Sequence, residues 1–103
     1  MMYSLKFLPK VEEDVITGYL WYEEKSVGLG EEFLRLFYAC TNEITHNPLL
    51  YMSVYNDFRR RLLRRFPYAI YFSIEAENIV VFGLFHCARD PQLLQDSLDE
   101  RRI

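Results

Sequence analysis

Cysteine is scarce in this chain of 103 residues, which has only Cys40 and Cys87. Cys40 falls within a helical pattern and Cys87 follows a predicted strand, so the pair makes neither a disulfide framework nor a CxxC metal site. The two histidines, His46 and His86, do not give the cysteines the ligand spacing of a zinc site. A Gly-rich phosphate loop and a Ser-His-Asp arrangement are also missing from the sequence. We therefore expect no metal and no cofactor, and a reducing compartment.

Long apolar segments are lacking as well. The longest uninterrupted apolar runs are only a few residues long, so we expect no segment to span a bilayer. The first residues lack a charged leader followed by an apolar region and a small-residue cleavage site, so we expect no secretion. Half of the residues are apolar and 17% are aromatic, which argues against disorder. The sequence indicates one cytoplasmic domain over residues 1–103 with a modest core.

Positive charge is concentrated in one part of the chain. The net charge is −3; residues 1–50 hold four basic residues against eight acidic ones, a balance of −4, and residues 51–103 hold eight arginines against seven acids, a balance of +1. Five of these arginines stand within the eleven residues 58–68: Arg59, Arg60, Arg61, Arg64 and Arg65. Charge this concentrated costs self-repulsion in a compact protein. It favours a polyanionic or acidic partner, although a solvated surface is an equally good explanation.

The spacing of apolar residues predicts two helices and four strands. A helical period follows Pro9 from residue 11 to residue 22, and a second helix is predicted from about Leu29 to Thr45. The predicted strands are Tyr3–Leu8 before the helices and, after a loop around residues 51–56, Phe58–Arg64, Tyr68–Ile74 and Ile79–Phe85, with a tight turn at residues 75–78. The order β-α-α-β-β-β predicts an α+β fold, with a helical hairpin packed on one face of an antiparallel sheet and the other face open.

Alternation along the strands assigns side chains to the two faces of this sheet. Phe58 and Leu62 share one parity and are predicted to face the helices, so Arg59 and Arg61 should point away from them. Tyr71 alternates against its apolar neighbours in the next strand and should also point away. The predicted open face is therefore basic, with aromatic side chains between the arginines.

Four groups of residues occur along the chain in a fixed order. They are Trp21-Tyr22-Glu23 with Gly28-Leu29-Gly30 and Phe33; Ile44 with Asn47-Pro48 and Tyr51; Arg60-Arg61-x-Leu63-x-Arg65-Phe66-Pro67-Tyr68; and His86-x-x-Arg89-Asp90-Pro91. In this order they resemble the motifs of the RelE/ParE superfamily of bacterial toxins, which are sometimes described as plasmid stabilisation proteins. The resemblance covers most of residues 3–91.

The resemblance implies the toxin of a type II toxin–antitoxin system. Such a toxin inhibits growth until a cognate antitoxin neutralises it by wrapping an extended, amphipathic segment around its surface. ParE-like members of the superfamily poison DNA gyrase, whereas RelE-like members cleave mRNA in the ribosome. The two activities require different residues.

Metal-independent RNA cleavage needs a base for the 2′-OH, cations for the developing phosphorane charge and an acid for the leaving oxygen. By the resemblance, Arg61 and Arg89 supply the cations, and His86 is the candidate proton carrier because histidine changes charge near neutral pH. RelE-like nucleases carry a functional tyrosine near the C-terminus, whereas this chain has none after Tyr71. They are also strongly basic, and this chain is net acidic. These departures favour a ParE-like toxin over a RelE-like endoribonuclease; a decayed toxin that acts only as a binding module is the third possibility.

A further set of residues is predicted to contact the target or the antitoxin: Arg59, Arg60, Arg64, Arg65, Tyr71 and Trp21. An acidic or amphipathic partner segment would cover the arginine face through charge-assisted hydrogen bonds. Structural roles stay open for several candidates. His86 can simply end a strand, Arg89 and Asp90 can form an ion pair or a turn before a terminal helix, and Trp21 can pack at a helix end.

Overall fold

The structure is a computed structural model that describes residues 3–102; Met1, Met2 and Ile103 of the predicted 1–103 domain lie outside the described residues. Its elements are β1 (Ser4–Phe7), α1 (Pro9–Lys25), α2 (Leu29–His46), a 3₁₀ turn (Pro48–Leu50), β2 (Ser53–Tyr55), β3 (Phe58–Leu62), β4 (Tyr68–Glu75), β5 (Asn78–His86) and α3 (Pro91–Arg102). The five strands form one sheet in the order β1-β5-β4-β3-β2.

The predicted α+β fold with a helical hairpin on one face of the sheet is confirmed, and each predicted helix and strand is present. The sheet is mixed, however, because β1 pairs parallel with β5 while the other three pairings are antiparallel. A parallel neighbour requires a crossover, and the two helices that follow β1 begin it. The predicted loop around residues 51–56 contains the short strand β2, and α3 packs on the face that was predicted to be open.

The hairpin of α1 and α2 is closed by local interactions around two glycines. Gly28 has a φ of 90°, a left-handed conformation that favours glycine, and it directly precedes α2. The Glu23 carboxylate accepts hydrogen bonds from the backbone N–H groups of Gly28, at 3.0 Å, and Gly30, at 3.0 Å. These bonds satisfy donors at the start of α2 that have no partner within the helix. These local bonds hold the turn between α1 and α2.

The sheet separates two hydrophobic clusters. The larger cluster lies between the hairpin and the sheet and includes Phe33, Phe37, Ile44, Ile70 and Phe72. The smaller cluster lies between the sheet and α3 and contains Phe58, Ala69, Tyr71, Phe82, Phe85 and Leu98. Because β4 contributes to both clusters, its residues 69–73 are buried without interruption.

The predicted assignment of the β3 side chains to the two faces is wrong. Phe58 packs in the cluster under α3, not against the hairpin. Arg59 and Arg61 pair across the ladder with Phe72 and Ile70, which belong to the hairpin-side cluster, so both arginines face the hairpin. The alternation itself holds, but the aromatic side chain of Phe58 packs beneath α3. The face assignment did not include this helix.

Tyr71 does point away from the hairpin, as predicted, but it is buried beneath α3 and does not lie on an open surface.

Among the described residues, no helix combines the length and the apolar character needed to cross a bilayer.

Candidate functional site

Arg61 ties β3 to the helical hairpin. Its Nη2 lies 2.5 Å from Oε1 of Glu43 on α2, and only 14% of its side chain is exposed. Burial lowers the pKa of Arg61, but the hydrogen bond with Glu43 and the contacts with Cys40 and Tyr51 outweigh this effect and raise it. The same hydrogen bond lowers the pKa of Glu43. A guanidinium held in this way is a structural link between sheet and helix.

Three other arginines of the cluster also bind groups of the chain itself. Nη1 of Arg59 donates to the backbone oxygen of Tyr51 at 2.6 Å. Arg64 lies 3.5 Å from the Glu43 carboxylate, and Arg65 forms an ion pair with Glu32 of α2. Arg64 and Arg65 are exposed, so these pairs are weak and leave both side chains available to a partner.

Arg60 differs from its neighbours because it shares the parity of Phe58 and faces the α3 side of the sheet. Its side chain has neither an ion pair nor a hydrogen bond within residues 3–102. It lines a groove of about 190 Å³ between the sheet and α3, here called the α3-side groove, together with Val54, Tyr55, Tyr71, Cys87, Arg89, Pro91, Leu94 and Gln95.

Arg89 brings a second cation to the α3-side groove. Its guanidinium carbon lies 4.6 Å from the centre of the Phe85 ring, and its Nη2 donates to Oγ of Ser97 at 3.0 Å. No described acid forms an ion pair with it, and none lines the groove. At its edge the Tyr55 hydroxyl donates to the Asp99 carboxylate at 2.7 Å, a bond that raises the pKa of Tyr55. The groove is therefore suited to an anion or an acidic side chain.

The candidate catalytic residues Arg61, His86 and Arg89 do not form one site. Arg61 is bound on the hairpin side, whereas the guanidinium of Arg89 covers a ring of the α3-side cluster. His86 ends β5, where its Nδ1 accepts the N–H of Ala88 at 3.0 Å. It does line a cavity of about 290 Å³ with Arg89, so the structure brings these two together and leaves Arg61 apart.

The segment after Arg89 takes the structural role that the sequence left open. Asp90 Oδ1 accepts the N–H groups of Gln92 at 2.8 Å and Leu93 at 3.3 Å. This is the capping arrangement that satisfies the first donors of a helix, and Pro91 starts α3. Asp90 is therefore a helix cap, and it makes no ion pair with Arg89.

Trp21 lies on α1, in the helical hairpin and away from the α3-side groove. It is an exposed side chain, and Nζ of Lys25 lies 3.9 Å from the centre of its ring. Its neighbour Tyr22 packs inward against Phe33 and Phe66. Of the predicted helix-end packing pair, Tyr22 is the packed member and Trp21 is the one that a partner could contact.

Helix α3 is held over the sheet by one mostly buried ion pair and by weaker contacts. Arg101 donates to the Asp14 carboxylate at 2.6 and 3.0 Å, and Asp14 also accepts the N–H of Leu84 at 3.1 Å. Arg102 binds Asp57 at 2.5 Å, which lowers the pKa of that carboxyl group. These contacts hold α3 in place, and α3 lines one side of the α3-side groove.

Sequence reasoning identified Arg60 and Arg89 but did not place them together. The signal that could have done so is the parity of Arg60 with Phe58, combined with a terminal helix that needs an apolar surface to cover. Tyr55 and Cys87 were not proposed as part of a site, because neither belongs to a recognisable motif. Within residues 3–102, no cluster of three or more histidine, cysteine or acidic side chains is arranged to hold a metal ion.

Comparison with known proteins identifies the fold. No protein-family model matches the sequence, and no curated protein matches it. A chain of the chromosomal ParDE TA system from P. aeruginosa superposes with a TM-score of 0.69 at 19% identity, over 82% of this chain and 96% of that one. A mutant of E. coli toxin RelE with two arginines replaced by alanine, in the free state, superposes with a TM-score of 0.61 at 12% identity, over 97% of this chain and 98% of that one. The chain therefore has the fold of the RelE/ParE toxins, as the motifs implied.

Proposed function

We propose that this chain is the toxin of a type II toxin–antitoxin system, a cytoplasmic growth inhibitor that a cognate antitoxin neutralises. The RelE/ParE fold supports this reading, because it is shared with a chain of the ParDE system and with toxin RelE. The ordered motifs between Trp21 and Pro91 support it independently of the fold. A small α+β domain suits a protein that acts by binding, because two arginines of its surface groove have no ionic partner among the described residues.

We further propose that the toxin is ParE-like and acts on DNA gyrase by protein–protein contact. The separation of Arg61 from Arg89 carries this choice, because phosphoryl chemistry needs its cations around one phosphate. Arg61 is already bound to Glu43, so using it as a catalytic cation would first break a largely buried ion pair. A binding surface has no such requirement.

The test is a supercoiling assay with purified gyrase and purified toxin. We expect wild type and Arg35→Glu to inhibit supercoiling and Arg60→Glu to inhibit it weakly. The two variants change the net charge equally, and Arg35 is an exposed arginine on the distant hairpin. Normal supercoiling at saturating wild-type toxin would remove gyrase as the target.

A RelE-like endoribonuclease is the second candidate, and the α3-side groove is the observation that favours it. Arg60 and Arg89 line the groove, and no acid among the described residues lines it with them. Two guanidinium groups suit the two free oxygens of a phosphodiester. This reading predicts cleavage of translated mRNA after induction of the chain, lost in Arg89→Ala. Intact transcripts in cells that have stopped growing would exclude it, and continued growth with antitoxin binding intact would indicate a decayed toxin.

A further inference from the structure

An apolar groove lies between α1, α2 and the end of β1, on the other side of the sheet from α3. Ten residues line a cavity of about 380 Å³ there, and Glu12 is the one charged residue among them. Of the other nine, Phe7, Ile16 and Tyr38 are 41%, 48% and 55% exposed, and Leu20, one turn after Ile16, is 56% exposed. We call this cavity together with Leu20 the hairpin groove. Single exposed apolar residues are ordinary, but a contiguous group of them marks an interaction surface.

Acidic side chains stand at both ends of the hairpin groove. Four residues of α1, each four positions after the last, follow one stripe of the helix surface: Glu12, Ile16, Leu20 and Glu24. The stripe runs from an acid through two apolar residues to a second acid, over about 18 Å along the helix axis. Glu31, in the first turn of α2, adds an acid at the same end as Glu24. All three glutamates are exposed, and none of them forms an ion pair within residues 3–102.

The charge of the hairpin selects the kind of partner. Residues 9–46 hold three Lys/Arg against eight acids, a balance of 3 − 8 = −5. Two of the three bases are engaged elsewhere, because Arg35 lies 3.7 Å from the Glu32 carboxylate and Lys25 lies over the ring of Trp21. An acidic segment, which would suit the arginines of β3, is repelled here, and a second copy paired symmetrically through the groove brings the same glutamates together. The hairpin groove instead complements a basic segment.

We propose that the hairpin groove binds a basic amphipathic helix of a protein other than the antitoxin. Its apolar side chains, at i, i+3, i+4 and i+7, pack between Ile16 and Tyr38. Its lysines or arginines stand about three turns apart and pair with Glu12 at one end and with Glu24 or Glu31 at the other. A helix is the element that packs its side-chain ridges into the groove between two others. The inference goes beyond the proposed function and does not rest on it, because the two grooves share no lining residue.

The test titrates the full chain with a synthetic helix, an alanine-based peptide with leucines at that spacing and lysines in its first and last turns. Two matched peptides carry glutamate for each lysine or glutamine for each leucine. Trp21, the single tryptophan of the chain, is 54% exposed and follows Leu20 on α1, so its fluorescence reports binding at the hairpin groove. We expect the lysine–leucine peptide to bind wild type at least about tenfold more tightly than either matched peptide, and less tightly as salt is raised.

Two matched pairs of variants locate the contact. Ile16→Ser is paired with Leu93→Ser, which removes an exposed leucine from α3. Glu12→Lys is paired with Glu77→Lys, which makes the same change of charge at an exposed position between β4 and β5. We expect Ile16→Ser and Glu12→Lys each to weaken binding about tenfold or more, and their controls to change it less than about threefold. Thermal melts show that each variant is folded.

Several outcomes would overturn the proposal. They are failure of the lysine–leucine peptide to bind wild type, equal affinities for the lysine and glutamate peptides, and equal affinities within both variant pairs. A dimer of the chain alone that Ile16→Ser dissociates would give the groove to a second copy. Displacement of the peptide by the protein of the neighbouring reading frame would give it to the antitoxin. These measurements involve neither gyrase nor growth, so the proposed function would stand in each case.

Discussion

The two sides of the sheet use arginine in different ways. On the hairpin side, Arg61 binds Glu43 and Arg59 binds a backbone oxygen, so these cations join elements of the fold. On the α3 side, Arg60 and Arg89 line a groove, and neither has an acidic partner within residues 3–102. The same strand therefore supplies structural arginines to one side and a displayed arginine to the other. Position on the pleat, and not residue type, separates the two roles.

The two sides also differ in what holds them together. The hairpin side is covered by two long helices over a cluster of thirteen buried residues, whereas the α3 side is covered by one helix of twelve residues over a cluster of six. The smaller cluster depends more on the ionic contacts of Arg101 and Arg102 at the end of that helix. We expect substitutions on the hairpin side to unfold the protein and those on the α3 side to act more locally.

The largest effect is expected for Phe33→Ala in the hairpin-side core. Phe33 is fully buried and its ring contacts those of Tyr22, Phe66 and Tyr68. Removing the ring leaves a cavity and should lower the free energy of unfolding by about 3–5 kcal/mol. Urea denaturation followed by circular dichroism measures this loss. A loss below about 1 kcal/mol would contradict the dominant role of this core.

The next effect is expected for Asp14→Ala, which removes the α1 carboxylate that binds Arg101 of α3. This change leaves Arg101 mostly buried without its carboxylate and removes the acceptor of the Leu84 N–H. We expect a loss of about 2–4 kcal/mol in unfolding free energy, with faster amide exchange in α3 than in α2. Asp57→Ala is the control, because its pair with Arg102 is more exposed and should contribute less than about 1 kcal/mol. Equal losses in the two variants would remove the distinction between the two ion pairs.

A smaller, pH-dependent effect is expected from Glu43. The hydrogen bond from Arg61 lowers the pKa of Glu43 below its ordinary value of 4.5, so the folded protein binds this proton less readily than the unfolded chain. The contribution of the Glu43 carboxylate to the stability of the folded protein is complete above about pH 4.5. It is lost as the pH falls through the lowered folded-state pKa. When denaturation is measured at pH 7 and at low pH, the free energy of unfolding should decrease less in Glu43→Gln than in wild type. The difference should be about 1 kcal/mol or less, because the carboxylate is partly exposed.

The smallest effect on stability is expected for Arg60→Ala. Its side chain binds no other group of the described chain, so unfolding free energy should stay within about 0.5 kcal/mol of wild type. Arg61→Ala, one residue away, should cost more because it leaves Glu43 without its main partner. Thermal melts of both variants, compared with growth inhibition after induction, test whether Arg60 is functional and Arg61 structural. The reverse order of stabilities would reject that assignment.

Several features of the fold follow from local sequence. The helical period after Pro9, the glycines between the two helices and the apolar runs of β4 and β5 predicted their elements to within a few residues. Each signal needs only neighbours in sequence, because a helix or a strand repeats its pattern over a few residues. The short strand β2 was not predicted, because a strand of three residues is too short to show an alternating pattern.

The amino-acid sequence by itself determined helices α1 and α2, strands β1, β3, β4 and β5, the concentration of arginines and the relative alternation along β3. Only the tertiary structure decided that Phe58 packs under α3, that Arg61 reaches Glu43 and that Arg60 meets Arg89 in one groove. The physical reason is that alternation fixes which side chains share a face, but not which face is covered by which helix. That choice depends on burying the apolar surfaces of elements far apart in the chain, and it decides which cations a partner can reach.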